Sequence, residues 1–176
     1  AGLKAVELID AMHAGKIKAV WIMSTNPVVS IPDGERVREA FGRCDLVVVS
    51  DAIHDTDTGR LAHVLLPATA WGEKNGTVTN SERRISRQRA FMAPPPDARP
   101  DWWAICEVAR RMGFDGFDYS GPAAIFREHA QLSAFRNEGR RDFDLAGLAD
   151  IDDDAFETLP PVQWPVPAAS PGGTAR

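Results

Sequence analysis

The stretch AVWIMSTNPVVSIPDGERVREAFGRCDLVVVS, residues 19–50, contains a strand, a helix and a second strand, and it decides the fold. Residues 19–23 and 46–49 are continuous apolar runs rich in β-branched side chains, as in strands buried within a parallel sheet. Asp33 is placed to cap the helix between them. The inner face of that helix is predicted to hold Val37, Ala40 and Phe41. These features predict two parallel strands joined by a helix.

The sequence on either side of this unit repeats the same alternation. Apolar residues recur at helical spacing over residues 2–13, and a short helix at residues 58–62 precedes a third apolar run at residues 64–66. Further helices are predicted at residues 101–112 and 122–135. The inner face of the first of these is expected to hold Trp102, Ile105, Val108 and Ala109. This order predicts an α/β fold, a three-layer Rossmann-like open parallel sheet with helices on both faces.

Other segments depart from the α/β pattern. Residues 71–89 are predicted to form a loop and a β-hairpin excursion, and the two prolines in residues 24–32 predict a non-helical loop there. Residues 137–176 are acidic and end in a proline-rich sequence, which we interpret as a weakly structured arm or interdomain linker. Residues 1–136 then form the α/β domain. Because the chain starts inside a predicted helix and without methionine, we interpret it as a segment of a longer polypeptide.

Composition limits the function classes. The 176 residues carry a net charge of −5, which argues against general nucleic-acid binding because a phosphate backbone requires a basic face. No apolar run approaches the length of a membrane span, and the N-terminal residues lack a signal-peptide pattern. Cys44 and Cys106 stand far apart, which excludes a cysteine-ligated zinc or iron–sulfur site in this segment. We expect two buried cysteines and a cytoplasmic protein with no nucleic-acid or membrane partner.

Polar side chains follow the first two predicted strands, and ligands of open parallel sheets bind beyond the carboxyl ends of the strands. Asn26 is held extended by the following proline and can present its amide to that crevice, although such an asparagine also commonly bonds its own backbone. Ser50 and Asp51 follow the second apolar run. The Asp51 carboxylate can accept hydrogen bonds from ribose hydroxyls or from the N1–H and N2–H of guanine, and a helix cap is the alternative.

The loop after the third apolar run suits an anionic ligand. Gly72 and Gly76 allow a close approach of the backbone or a left-handed turn. Lys74 can supply a positive charge to a phosphate, and an exposed surface lysine is the alternative. Asp101 is first of all a helix N-cap, yet a capping carboxylate near the crevice can also bind a base or a sugar. Together these residues predict a nucleotide site.

Arginines are concentrated in the predicted hairpin. Strand alternation places Arg83, Arg87 and Arg89 on one face and Arg84 on the other. Because they cannot all contact one ligand, we expect some of them to pair with nearby glutamates or with a neighbouring domain.

Signals for other chemistries are missing from the sequence. No GxSxG, GxGxxG or Walker motif is present, so nucleophilic catalysis, a standard nicotinamide site and an ATP site are not supported. The four histidines lie on different predicted elements and share no metal-ligand spacing. We therefore predict no catalytic residue and no metal site in this segment.

Three motifs in order carry a family resemblance. They are WIMSTNPVVS at residues 21–30, VVVSDAIHDTDTGRLAHVLLPATAWGEKNGTVTNSERRISRQRAF at residues 47–91, and RPDWW at residues 99–103. They resemble the molybdopterin oxidoreductases that carry bis(molybdopterin guanine dinucleotide). Within that family the likeness is strongest to assimilatory nitrate reductase catalytic subunits, on the TNP, GTVTNSERR and VQWPVP phrases. Formate dehydrogenases share a looser version.

The resemblance implies a Rossmann-like domain that holds one of two guanine dinucleotides, within an enzyme that reduces nitrate to nitrite at molybdenum. The implied cofactor contacts are Asn26, Ser50, Asp51, Lys74 and Asp101. It also implies that the molybdenum ligand and a [4Fe–4S] cluster lie in other domains of the same polypeptide, so that this segment alone is inactive. The alternatives are the corresponding domain of a formate dehydrogenase, or a non-catalytic scaffold domain related to the large subunit of respiratory complexes.

Overall fold

The computed structural model describes residues 2–173 and divides into two compact units. The first unit comprises the chain up to residue 70 together with residues 94–105. The second comprises residues 71–93 and the chain from residue 106 onward. This division differs from the boundary at residue 136 that the sequence predicts, because the hairpin segment belongs with the C-terminal part. Residue 1 and residues 174–176, which the prediction assigns to the α/β domain and to the arm, lie outside the described residues.

A parallel sheet forms the centre of the first unit. Its strands are β1 (Ala19–Met23), β2 (Leu46–Asp51) and β3 (Val64–Pro67), in the order β1-β2-β3. Trp21 lies opposite Val48, and Val49 lies opposite Leu65. The predicted α/β class with a parallel sheet is therefore confirmed, and each predicted strand is found within two residues of its expected end.

Helices α1 (Ala5–His13) and α3 (Gly34–Gly42) build the core of the first unit with the sheet. The Asp33 side chain accepts a hydrogen bond from the backbone N–H of Arg36 and caps α3, as predicted. The residues buried between the helices and the strands are Ile9, Met12, Val37, Ala40, Phe41, Val47 and Val49. The predicted inner face of α3 is confirmed, because all of its three members belong to this group.

A single helical turn occupies the loop for which two prolines predict no helix. Helix α2 (Pro27–Ser30) has Pro27 at its first position and ends before Pro32. Proline is tolerated there because the first N–H groups of a helix have no intrahelical acceptor. The predicted short helix before β3 is present as a 3-10 turn at Gly59–Leu61.

The second unit is built on an antiparallel hairpin. Strands β4 (Gly76–Thr79) and β5 (Arg84–Gln88) pair antiparallel, and β6 (Val162–Gln163) adds to β5. At the tip, the side-chain oxygen of Asn80 accepts hydrogen bonds of 3.0 Å from the backbone N–H groups of Glu82 and Arg84. This Asx turn holds the chain in the tight reversal of the β-hairpin, which the sequence predicts within residues 71–89.

Three helices complete the chain: α4 (Asp101–Arg111), α5 (Pro122–Ala134) and α6 (Asp153–Glu157). The predicted inner face of α4 is only partly correct. Ala109 is buried, together with Cys106, but Ile105 and Val108 are 38% and 39% exposed. Both cysteines are free and buried, as predicted.

The segment from residue 138 to residue 173 is folded, although its composition predicts a weakly structured arm. Its apolar residues are few, yet they enter the core of the second unit. The buried members of that core are Ile85, Phe126, Ala130, Leu145, Leu148, Phe156, Leu159 and Val166. Sparse but fully buried side chains order the segment, so average composition underestimated its structure.

Two arginines of the hairpin bind this segment. Arg87 is 4% exposed at its side chain, and its Nη2 lies 2.6 Å from the Glu157 carboxylate. Its guanidinium carbon lies 4.6 Å from the ring centroid of Phe156, and Arg89 pairs with the same glutamate at 3.3 Å. Arg84 lies 3.8 Å from Glu82. The expectation that some of these arginines pair with Glu73, Glu82 or a neighbouring domain is confirmed for Arg84 with Glu82. Arg87 and Arg89 pair instead with Glu157, which the sequence did not indicate.

No helix within residues 2–173 has the length and the apolar content needed to cross a membrane.

Replacement of Leu145 tests whether the C-terminal segment is part of a core. Leu145 is fully buried, whereas Leu132 is 59% exposed, so the two leucines form a matched pair. Leu145→Ala is expected to lower the free energy of unfolding by about 2–5 kcal/mol, while Leu132→Ala changes it by less than about 0.5 kcal/mol. Urea unfolding followed by fluorescence measures both, and equal effects would show that the segment is not packed.

Acid should weaken the contact between the hairpin and α6. The hydrogen bond from Arg87, with the charges of Arg87 and Arg89, lowers the pKa of Glu157 below its usual value. A depressed folded-state pKa contributes stability above the unfolded pKa, near ~4.3, and this contribution is lost as pH falls through the folded pKa. Glu157→Gln is therefore expected to lower the thermal midpoint at pH 7 and to have little effect near pH 2. A difference that persists unchanged at pH 2 would assign the effect to packing.

Candidate functional site

The carboxyl edge of the parallel sheet gathers predicted site residues from β1 and β2. Met23, at the end of β1, lies opposite Ser50, and Asp51, at the end of β2, lies opposite Pro67. Neighbouring strands stand about 4.8 Å apart. Because the strands are parallel, the loops that carry Asn26 and Asp51 leave from the same edge, as predicted.

The start of α4 reaches this edge as well. The backbone N–H of Arg99 donates to the carbonyl of Pro67 at 3.0 Å, and the N–H of Thr69 donates to the carbonyl of Arg99 at 3.1 Å. Ala68 and Arg99 form a parallel bridge. The segment before α4 thus continues the sheet beyond β3, and Asp101 follows it as the first helical residue, rather than the preceding N-cap that the sequence predicts.

Asn26 is held by a side chain that the sequence analysis did not single out. Its Oδ1 accepts a hydrogen bond of 2.6 Å from the Thr58 hydroxyl and one of 3.2 Å from the Thr58 backbone N–H. It makes no side-chain bond to the start of α2, so the alternative of a turn asparagine that bonds its own backbone does not describe it. Asn26 is half-buried, and its Nδ2 makes no bond to the described residues.

The loop that presents Asn26 is constrained on both sides. Ser24 has φ of 56°, in the left-handed region that non-glycine residues rarely adopt, and its N–H donates to the carbonyl of Ser50 at 3.1 Å. Pro27 fixes the backbone on the other side, as the first residue of α2. Such a conformation persists only where the surroundings determine it, so the position of Asn26 is set by several independent contacts.

Ser50 is buried, and its side chain forms a hydrogen bond between two strands of the sheet. It is 2% exposed, and its oxygen accepts a hydrogen bond of 2.8 Å from the indole Nε1 of Trp21. This bond joins neighbouring strands β1 and β2 at the edge from which the ligand loops depart. Position in the sequence could not reveal it, since Trp21 lies 29 residues earlier in the chain.

Asp51 offers a carboxylate at the centre of the edge. One oxygen, Oδ1, accepts a hydrogen bond of 2.9 Å from the backbone N–H of Ile53 and so fixes the turn after β2. The residue is half-buried, and its Oδ2 has no hydrogen-bond partner among residues 2–173. A carboxylate fixed through one oxygen can accept from a ligand through the other.

Neighbouring carboxylates are already paired. Asp55 accepts from the Arg60 guanidinium at 2.7 Å and 2.9 Å, and this hydrogen bond lowers the pKa of Asp55. Asp57 lies 3.3 Å from Arg38. These two residues therefore act as ion-pair partners, and Asp51 is the carboxylate of this loop without a cation within pairing distance among the described residues.

Lys74 belongs to the second unit, in the loop between a 3-10 turn at Trp71–Glu73 and β4. Its backbone N–H donates to the carbonyl of Trp71 at 3.4 Å. At Gly72, an added Cβ would stand 2.8 Å from the tip of the Phe91 ring. Phe91 is 76% exposed and its side chain can move, so packing does not require glycine at this position.

The arrangement suits the binding of a nucleotide rather than catalysis. The edge of the first unit offers amide donors from Asn26 and a carboxylate acceptor from Asp51. Guanine and ribose present both acceptors and donors, so this donor set fits them. No group of three or more histidine, cysteine or carboxylate side chains in residues 2–173 is arranged to hold a metal ion.

Comparisons with known proteins show the family of this chain. A family model described as molybdopterin oxidoreductase matches residues 1–111. Nitrate reductase of Klebsiella oxytoca is 58% identical over 166 residues, which cover 94% of this chain and 19% of that protein. The F420-dependent formate dehydrogenase subunit alpha of Methanocaldococcus jannaschii is 44% identical over 129 residues, covering 72% of this chain and 19% of that protein. The chain thus spans about a fifth of the length of these relatives.

A solved structure shares the fold. Acetylene hydratase from Pelobacter acetylenicus superposes with a TM-score of 0.62 at 24% sequence identity, over 68% of this chain and 17% of that one. At this identity the match shows the fold alone.

Removal of the Ser50 hydroxyl separates its structural role from ligand binding. Ser50→Ala leaves the Trp21 indole N–H without its acceptor, and it is expected to lower the free energy of unfolding by about 1–3 kcal/mol with no cofactor bound. Trp21→Phe removes the donor instead. If the bond is the cause, the double variant will be less destabilised than the sum of the single variants in chemical denaturation; strict additivity would contradict it.

Proposed function

This chain belongs to the molybdopterin oxidoreductase family, and we propose that it forms the part of a molybdenum-dependent nitrate reductase that binds one guanine dinucleotide of bis(molybdopterin guanine dinucleotide). The observation that carries the proposal is the shared edge of the parallel sheet. There Asn26 keeps its Nδ2 donors free and Asp51 keeps one carboxylate oxygen free of partners within residues 2–173.

Each residue of the edge has a role that follows from its remaining hydrogen-bonding capacity. Asp51 accepts from the N1–H and N2–H of guanine or from ribose hydroxyls, and Asp101 adds a second carboxylate at the start of α4. Asn26 donates to an acceptor oxygen of the dinucleotide. Ser50 supports these contacts from the interior through Trp21. For Lys74, which belongs to the second unit, the contact with the phosphate or the pterin stays a prediction.

The bound cofactor supplies molybdenum, at which nitrate is reduced to nitrite by two electrons. The residues of this segment bind and orient the nucleotide end of that cofactor, and none of them acts as a catalytic group. We propose that the molybdenum ligand and a [4Fe–4S] cluster belong to other domains of the same polypeptide, which works in the cytoplasm. The two cysteines are assigned to different places, Cys44 to the first unit and Cys106 to the second, and both are buried.

We propose nitrate as the substrate because the nitrate reductases match more of the chain than the formate dehydrogenases do. The nitrate reductases of Klebsiella oxytoca and of two other organisms match 93% or more of the chain. Formate dehydrogenases match 72–75% of it, at 40–44% identity, so formate is the second candidate.

A charge-neutral replacement of Asp51 tests the nucleotide contact in the full-length polypeptide that carries this sequence. Asp51→Asn retains an oxygen for the Ile53 N–H but removes the charge and one acceptor. A charge-assisted hydrogen bond contributes about 1.5–3 kcal/mol, so cofactor release is expected to accelerate roughly ten-fold or more. Release is measured as the loss of molybdenum and of acid-released GMP per polypeptide during incubation in buffer.

Asp45→Asn provides the matched control, because Asp45 is exposed and lies at the opposite end of the same strand. It is expected to release cofactor at the wild-type rate. Lys74→Ala, compared with Lys16→Ala at an exposed site in the first unit, tests the phosphate contact by the same measurement. Wild-type retention in both Asp51→Asn and Lys74→Ala would end the proposal.

A further inference from the structure

A buried threonine determines which atom of Asn26 faces the ligand edge. Thr58 has no exposed surface and lies just before the 3-10 turn at Gly59–Leu61. Its hydroxyl accepts a hydrogen bond of 3.2 Å from the Val28 N–H and donates one of 2.6 Å to Asn26. Buried polar side chains of this kind are satisfied by partners, and here the partners are the Asn26 side chain and the backbone of Val28, two residues later.

The direction of each hydrogen bond follows from the chemistry of the groups. A backbone N–H can only donate, so the Val28 N–H occupies a lone pair of the Thr58 oxygen and leaves the hydroxyl proton for Asn26. The Thr58 N–H also points at Asn26, at 3.2 Å. Two donors therefore converge on one atom of the Asn26 amide, and that atom must be the oxygen rather than the nitrogen.

We infer that Thr58 is a positioning residue, which locks the Asn26 amide so that it presents only N–H donors to the cofactor. This inference rests on the proposed function, because it describes how the nucleotide contact is oriented. The ligand atom that Asn26 recognises is then an acceptor: a carbonyl or ring nitrogen of the base, a ribose oxygen or a phosphate oxygen. A ligand that offers a donor at that place is disfavoured, since two donors would face each other.

Without the two hydrogen bonds from Thr58, the side-chain amide of Asn26 could rotate by half a turn. The two ends of an asparagine side chain have nearly the same shape, and rotation by half a turn exchanges donor and acceptor. Two hydrogen bonds to Oδ1 make one orientation preferred before the ligand arrives. Pre-orientation of this kind lowers the entropy lost when the ligand binds.

The experiment uses the full-length polypeptide purified with its cofactor, and it measures the rate at which molybdenum and acid-released GMP are lost from the protein. Thr58→Val removes the hydroxyl at nearly constant shape, and it is expected to accelerate release roughly tenfold, equivalent to about 1.4 kcal/mol. Thr58→Ser keeps the hydroxyl and should restore the wild-type rate. Thr56→Val is the matched control, because the Thr56 hydroxyl bonds the Gly59 N–H in the same turn at 2.9 Å and makes no bond to Asn26.

Variants of Asn26 distinguish a positioning role from a general effect on the fold. Asn26→Asp keeps an oxygen toward Thr58 and replaces the outward donor by an acceptor, so it is expected to release cofactor as fast as Asn26→Ala. In the Asn26→Ala background, Thr58→Val should add less than about twofold, since the group on which Thr58 acts is gone.

The outcomes separate the inference from the function on which it rests. Rapid release by Asn26→Ala and Asn26→Asp together with a wild-type rate for Thr58→Val would overturn the role of Thr58 and leave the nucleotide contact in place. The same follows if Thr56→Val matches Thr58→Val, or if Thr58→Val keeps its full effect in the Asn26→Ala background. Wild-type release in Asn26→Ala and in Asp51→Asn would instead overturn the binding site itself.

Discussion

The candidate site depends on the parallel hydrogen-bond ladder of β1, β2 and β3. Parallel strands require a crossover after each strand, and every crossover here begins at the same edge of the sheet. The ladder thereby brings the loop that carries Asn26 beside the end of β2 at Asp51, although these two residues are 25 apart in the chain. The pairing of Arg99 beyond β3 extends the same constraint to the start of α4. Strand pairing alone is therefore enough to bring the polar residues at that edge close together.

The strands could be predicted from the sequence because each is a continuous apolar run, and Asp33 could be predicted as a cap from its place before a periodic segment. The errors have a common physical origin, which is that local rules were applied where tertiary contacts decide. Pro27 does not prevent a helical turn that it begins. The C-terminal segment looks polar on average, yet Leu145 and Val166 have no exposed surface. Composition gives the number of apolar residues in a segment, whereas burial depends on whether those residues pack against others in the folded chain.

The candidate site shows the same division. Asn26 and Asp51 could be predicted as edge residues because their positions follow from strand ends alone. The interior hydrogen bonds could not be predicted, since Thr58 lies 32 residues from Asn26 and Trp21 lies 29 residues from Ser50. Two signals in the sequence pointed toward these partners without identifying them: a threonine at the start of the predicted short helix, and a tryptophan in a strand that must satisfy its N–H when buried.

The polar groups at this edge of the sheet are thus of two kinds: some form hydrogen bonds within the protein, and others remain available to a ligand. Ser50 and Thr58 are both almost fully buried, and their oxygens accept from Trp21 and Val28, so burial is matched by hydrogen bonds in each case. Asn26 and Asp51 are half-buried, and in each of them one side-chain oxygen accepts a hydrogen bond from the protein. In Asn26 the remaining atom is a donor, and in Asp51 it is an acceptor. Guanine has a carbonyl, which is an acceptor, beside a ring N–H, which is a donor, and so complements such a pair. Adenine has an exocyclic amine beside an unprotonated ring nitrogen, so its donor and acceptor are in the opposite order. Under the proposed function, a preference for guanine over adenine would therefore arise from the bonds of Thr58 to Asn26 and of the Ile53 N–H to Asp51, which determine the atoms that remain for the ligand.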